Sequence, residues 1–235
     1  MSSGIYIGMT GAAARAAEVD LVSDNLANAD TPGFKARRLA FEAVLSAQSG
    51  GQRAYAKAAG APVDLGAGRI ETTEDPMHIV PEDGAFLAVR GPEGRTVFTR
   101  DGRLTVDADG RLRAGDHLLL DARGEGIVVP PGDLPTITER GEVRIGDFVL
   151  ARIPTFHVSG PVRKLGASLI EPEDPSQATE SKAGVLVGAL ERANVSPLQA
   201  TVELISAHRS YESAMKAVES YAELDRRAAT LGRIG

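Results

Sequence analysis

A stripe of mostly apolar positions recurs at alternating steps of four and three in two stretches at opposite ends of this chain. In the first stretch the positions are Ile5, Met9, Ala12, Ala16, Val19, Ser23 and Leu26. In the second they are Leu204, His208, Tyr211, Met215, Val218 and Ala222. This period lays a narrow seam along one side of a helix and predicts two long terminal helices packed as a coiled-coil-like pair, with an ordinary two-helix core as the plainer alternative. Ala12 and Ala16 make the first seam thin. Each buried CH₂ that an alanine lacks forgoes about 0.8 kcal/mol, while ordering the backbone costs about 1–2 kcal/mol per residue. An isolated pair of such helices is marginal, and packing against further copies would tip the balance. That points to assembly rather than catalysis.

Local signals agree with these boundaries. Ser196 is a good N-cap, Pro197 suits the first helical position, and Gln199 completes a capping box. Thr31-Pro32-Gly33 stops the first helix, with Asn28 and Asp30 able to cap it. Glu212 with Lys216, and Glu223 with Arg227, stand four apart in the favourable order.

Between the helices the period shortens to that of strands. Residues 86–89, 96–100 and 103–107 are short runs rich in Phe, Val, Leu and Thr, divided by Gly91-Pro92-Glu93-Gly94 and Asp101-Gly102. Asp109-Gly110 marks a further turn, and residues 127–129 and 143–153 continue the pattern. Such spacing predicts successive hairpins with Gly102 and Gly110 at positive φ. The expected class is therefore α+β: long N- and C-terminal helices packing as a coiled-coil-like pair, with a central all-β domain. The expected segments are an N-terminal helix and turn over 1–35, a connecting segment over 36–69, a β domain over 70–175, a return linker over 176–195 and a C-terminal helix over 196–235. Gly50-Gly51 and the Ala/Gly-rich run to Gly68 suggest that the connection is mobile.

Composition narrows the chemistry. Of the 235 residues 43% are hydrophobic, enough for a folded core, yet no run approaches the roughly 20 apolar residues that span a bilayer. The start lacks the charged, apolar and small-residue pattern of a secretory signal peptide. With no cysteine, disulfides and thiolate metal sites are impossible. A net charge of −6 argues against a nucleic-acid partner, since phosphate binding needs a basic surface. His78, His117, His157 and His208 are scattered without zinc-motif spacing, and no nucleophile elbow, P-loop or dinucleotide fingerprint is present. The Asp-Gly pairs lack the alternating ligands of a calcium loop. No catalytic residue, metal, cofactor or small-molecule substrate is expected.

Three motifs then carry a resemblance. Asn25, Leu26, Ala27, Asn28, Thr31, Gly33 and Phe34 match the Asn-Leu-Ala-Asn-x-x-Thr-x-Gly-Phe signature of the flagellar basal-body rod and hook family. Gly84-Ala85-Phe86-Leu87-Ala88-Val89, then Phe98-Thr99-Arg100-Asp101-Gly102, is similar to a central run of those axial proteins. Leu190-Glu191 and Asn194-Val195, ahead of a helix carrying Arg209 and Tyr211-Glu212, resemble the C-terminal signature. The resemblance implies a structural subunit of the rod, the axial tube that crosses the periplasm and transmits torque. The implied partners are other copies, neighbouring rod proteins and the flagellar type III export apparatus, which needs no cleavable signal peptide. The implied assembly interface is the two seams with Asn25 and Asn28. Chain length, Ile5-Tyr6 and Leu190-Glu191 suggest a proximal rather than a distal rod subunit. A distal rod subunit or another rod or hook axial protein is the close runner-up, and a non-flagellar coiled-coil scaffold and a β-domain hydrolase are the remaining alternatives.

Overall fold

The computed structural model describes residues 3–38, 40–46 and 53–231, with side chains described for these apart from 3–7, 40–46, 53–60, 225 and 228–231. The chain divides into two compact units. One comprises Met1–Ala27, Arg37–Pro62 and Ser196–Gly235; the other comprises Asn28–Ala36 and Val63–Val195.

The terminal unit holds α1 (Ser3–Ala27), β1 (Ala40–Ser46), β2 (Arg53–Gly60) and α2 (Pro197–Leu231). Within the expected connecting segment over 36–69, β1 and β2 form an antiparallel hairpin with Val44 opposite Tyr55, while Gly50-Gly51 lie outside the described residues. At the start of α2, Gln199 N donates to Ser196 Oγ at 3.4 Å. The Gln199 side chain reaches forward to Glu203 Oε1 at 2.8 Å rather than back, so half of the capping box forms. Glu223 accepts from Arg227 Nε at 2.8 Å, whereas Glu212 lies 3.5 Å from His208 Nε2.

The two helices run antiparallel. Gly8 lies so close to Val218 that a β-carbon there would stand 3.0 Å from Val218 Cγ2, and Arg15 shares a shallow groove with Arg209 and Ser213. The expectation of a coiled-coil-like pair of long helices is overturned. α1 has 25 residues and α2 has 35. A heptad seam needs an apolar side chain packed at each step, yet Met9 is 57% exposed and His208 also faces solvent. The inner side of α2 follows Ala200, Leu204, Ala207, Tyr211, Met215, Val218 and Ala222, sliding past His208 to the smaller Ala207. Gly8 and Ala12 permit close approach without interlocking side chains. The central β part of the expectation does fit.

In chain order the second unit has β3 (Ile70–Thr72), β4 (Ile79–Pro81), β5 (Phe86–Arg90), β6 (Thr96–Thr99), β7 (Leu104–Val106), β8 (Leu112–Ala114) and β9 (His117–Leu118). Then come β10 (Thr136–Ile137), β11 (Glu142–Ile145), β12 (Phe148–Arg152), β13 (Thr155–Val158) and β14 (Val162–Lys164). The last four are β15 (Leu169–Pro172), β16 (Ala178–Ser181), β17 (Val185–Val187) and β18 (Ala189–Glu191). A six-stranded antiparallel sheet runs β14-β15-β6-β5-β13-β16. Two three-stranded meanders, β7-β8-β9 and β10-β11-β12, and two ribbons, β17-β4 and β18-β3, surround it.

Both faces of β5 are buried, which is why Phe86-Leu87-Ala88-Val89 reads as a continuous apolar run without alternation. Leu87 and Val89 join Ile79, Val97, Leu112, Leu119 and Ile153 in one core. Phe86 and Ala88 join Phe98, Leu120 and Ile170 in another, where Phe98 meets Phe156 with ring centroids 5.3 Å apart.

Asp109-Gly110 closes the β7–β8 hairpin, with Gly110 at φ 76°. Asp101-Gly102 does not turn a hairpin, because β6 pairs with β5 and β15 while β7 pairs with β8. Nor is Gly102 at positive φ. It is small because a β-carbon would run into the Ile79 carbonyl, whose residue donates its N–H to Gly102 O at 3.0 Å.

Candidate functional site

The first signature folds into two tied turns. Within the terminal unit, Asn25 acts as a clamp: its Nδ2 donates to Arg37 O at 2.9 Å and its Oδ1 accepts from Arg37 N at 3.1 Å. In the β unit, Asn28 O accepts from Thr31 N at 3.0 Å, and Thr31 Oγ1 lies 3.5 Å from Asn28 Oδ1. Gly33 adopts φ 68°, and a β-carbon would collide with the backbone joining Arg100 to Asp101. Glycine is therefore required there for conformation and for space. Phe34 is fully buried with Ala36, Ala193 and Val195, and Lys164 Nζ sits 3.5 Å from its ring centroid.

The next residue enters a buried charge cluster. Lys35, Arg100 and Glu191 are all buried, and Glu191 is fully so. Lys35 Nζ donates to Glu191 Oε1 at 2.7 Å and to Gly66 O at 2.6 Å. Glu191 Oε1 also accepts from Gly68 N at 2.8 Å. Its other oxygen accepts from Arg100 Nε at 2.6 Å and from the second guanidinium nitrogen, while the third donates to Ala85 O. Burial alone would push the Glu191 carboxyl up, but Arg100 and Lys35 hold it below its ordinary range. For Lys35, burial lowers the ammonium pKa more than the Glu191 carboxylate raises it.

Asn194 completes the joint. Its Oδ1 accepts from Ala36 N at 2.7 Å, its Nδ2 donates to Asp64 O at 2.8 Å, and its N–H donates to Phe34 O at 3.3 Å. Gly33 N donates to Glu191 O at 2.8 Å. The N-terminal, central and C-terminal signatures thus meet at one carboxylate and one carboxamide. Every polar atom of that carboxylate is engaged, which suits a joint rather than proton transfer or ligand binding.

The residues expected as an assembly interface are not brought together there. Ala12 is buried, and Ala16, Val19, Leu26, Leu204, Tyr211, Met215, Val218 and Ala222 are half-buried within the terminal unit. Met9 and His208 are exposed, and the Ile5 side chain lies outside the described residues. Asn25 and Asn28 hold turns. Sequence reasoning missed the charge cluster because lone charged residues ordinarily read as surface. The available signal was that Arg100 and Glu191 sit within the central and C-terminal motif stretches and that Lys35 directly follows the N-terminal signature.

The same three segments carry the likeness to known proteins. The model described as "Flagella basal body rod protein" matches residues 5–35. That for the "Flagellar hook protein FlgE/F/G D1 domain" matches 82–145, and that for the "Flagellar basal body rod FlgEFG protein C-terminal" matches 186–231. The flagellar basal-body rod protein FlgF of Caulobacter vibrioides is 31% identical over the whole of both chains. This chain belongs to the flagellar basal-body rod protein family. FlgF of Salmonella typhimurium is 28% identical with 97% of each chain covered. FlgG of Bacillus subtilis is 27% identical over 95% of this chain and 97% of its own length. The resemblance to FlgF is the stronger. A free-standing coiled-coil scaffold with coincidental motifs is excluded by the family membership.

Proposed function

We propose that this chain is a structural, non-catalytic subunit of the bacterial flagellar basal-body rod, polymerising through its terminal unit into the axial tube that transmits torque. Its partners are other copies and neighbouring rod proteins, and it reaches the rod within the periplasm through the flagellar type III export apparatus. The observation that carries the assembly reading is the outer side of α2. Leu198, Val202 and Ile205 follow one another at steps of four and three and are exposed, on the side of α2 opposite Ala200, Leu204 and Ala207. Val202 and Ile205 line the groove that also contains Arg15 and Arg209. Tyr221 and Leu224 add exposed apolar surface further along. A helix that is apolar on two sides is built to be covered on both.

Copies joined by differing surfaces make heterologous contacts, and these generate a helical tube when the rotation does not close. The implied interface keeps Met9 and His208 from the seams and adds Leu198, Val202 and Ile205. The test is the pair of variants Val202→Asp and Ile205→Asp in motile cells. Both proteins should be made, exported and folded, yet fail to enter purified basal bodies, leaving the cells non-motile. Glu219→Lys is the control and should incorporate. Normal incorporation of both aspartate variants would overturn the assembly surface.

A further inference from the structure

Residues 28–36 cross the β unit without joining any of its sheets. Their turn bonds, Thr31 N to Asn28 O and Phe34 N to Thr31 O, are internal to the segment. Most of the hydrogen bonds that hold it down come from two later parts of the chain, while Gly33 packs against the Arg100–Asp101 backbone and Lys164 of β14 covers the Phe34 ring. Residues 64–66 supply Asp64 N to Ala36 O at 2.7 Å and Gly66 O to Lys35. Residues 191–194 supply the Glu191 backbone and carboxylate and the Asn194 side chain. The apolar residues under the segment, Phe34 with Ala36, Ala193 and Val195, form a cluster separate from both sheet cores. Glu191 itself lies on the β18–β3 ribbon, not in the six-stranded sheet.

We propose that residues 28–36 are a strap that opens and closes as a unit over a β sheet that stays folded, with the Glu191 carboxylate as its catch. The chemistry of the catch suits reversibility. When the strap lifts, Lys35 leaves with it, but Glu191 keeps Arg100 and Gly68 N, and water can replace the ammonium at Oε1. Neither state leaves a buried charge without a partner, the arrangement that would otherwise make one state prohibitive. The Lys35–Glu191 pair spans 156 residues. Strap closure therefore requires the C-terminal signature to be already in place, and it fixes where the chain enters and leaves the β unit at Asn28 and Ala36. The strap reports completion of the chain to the N-terminal segment.

Native-state hydrogen exchange on the full chain tests this, comparing residues 33–36 with β5 and β6. In the wild-type protein the strap amides should exchange faster than those of β5 and β6, as a local opening requires. Lys35→Glu places a carboxylate against Glu191 and should speed exchange at residues 33–36 by about 100-fold, with β5 and β6 changed by less than about threefold. Lys35→Arg keeps the charge and should hold strap exchange within about tenfold of wild type. The proposal is overturned if β5 and β6 accelerate together with the strap, if Lys35→Glu leaves the strap protected, or if Lys35→Arg opens it as fully as Lys35→Glu.

Discussion

The terminal unit and the β unit bury themselves in opposite ways. Among the described residues, the buried apolar side chains of α1 and α2 are Ala12, Leu21, Val22, Ala200 and Ala207, mostly small, while Leu198, Val202, Ile205, Tyr221 and Leu224 stay in solvent. The β unit buries Phe34, Phe86, Ile79, Leu87, Leu112, Leu119, Leu120 and Ile153 almost completely. At about 25 cal/mol per Å² of apolar surface, the β unit draws most of its stability from within, and the helices leave much of theirs to be gained from other molecules. A subunit divided in this way can be folded and soluble as a monomer and still be incomplete. Under the proposed assembly, its stability belongs to one unit and its polymerisation to the other.

That contrast can be broken from either side. Gly102→Val should have the largest effect on the β unit, because the added carbon meets the Ile79 carbonyl and no side-chain rotation relieves it. Loss of the cooperative thermal transition is the expected result. Glu191→Ala comes next. Removing the shared carboxylate leaves Lys35 and Arg100 buried without their partner and should cost about 3–5 kcal/mol in denaturant unfolding. Gly110→Ala forces a β-carbon into positive φ at a hairpin turn and near Val129 O, so about 1–2 kcal/mol is expected.

The acid limb of stability sharpens the comparison. Because Glu191 is held below its ordinary value of 4.5, its contribution is present above that value and is lost as pH falls through the lower folded one. Unfolding monitored by tryptophan-free probes such as far-UV circular dichroism should show β-unit stability falling below about pH 4.5, with Glu191→Gln flattening the slope. An equal slope in both proteins would remove Glu191 from the acid response. Smallest of all should be the effect of Val202→Ala on the monomer, within about 0.5 kcal/mol, since an exposed side chain is being shortened. A larger loss would mean that the outer face of α2 is already covered within the subunit.

Much of this was legible beforehand. Ser196-Pro197 marks the start of α2, Asp109-Gly110 marks a true hairpin, and the runs at 86–89 and 96–100 are strands, because capping, turn conformation and strand period are local properties. The hairpin of β1 and β2 was not legible. Its alanines have weak strand preference, and the pairing with a partner strand decides their conformation. His208 entered the expected seam by its spacing alone, whereas in the structure it is exposed and the neighbouring Ala207 is buried in its place.

The sequence by itself determined the family, the two terminal helices, the strand-rich middle and the Gly110 turn, since each rests on local conformation or on a short motif, whereas the small size of Gly102 is set by the Ile79 carbonyl packed against it. Only the tertiary structure decided that Lys35, Arg100 and Glu191 are one site. A charged side chain looks the same in sequence whether water or a buried counter-ion surrounds it, and residues separated by 156 positions become neighbours only when the intervening chain has folded. The same holds for the two sides of α2. Period reveals that a helix has an apolar stripe, but the neighbour that covers it determines which stripe remains for the next subunit.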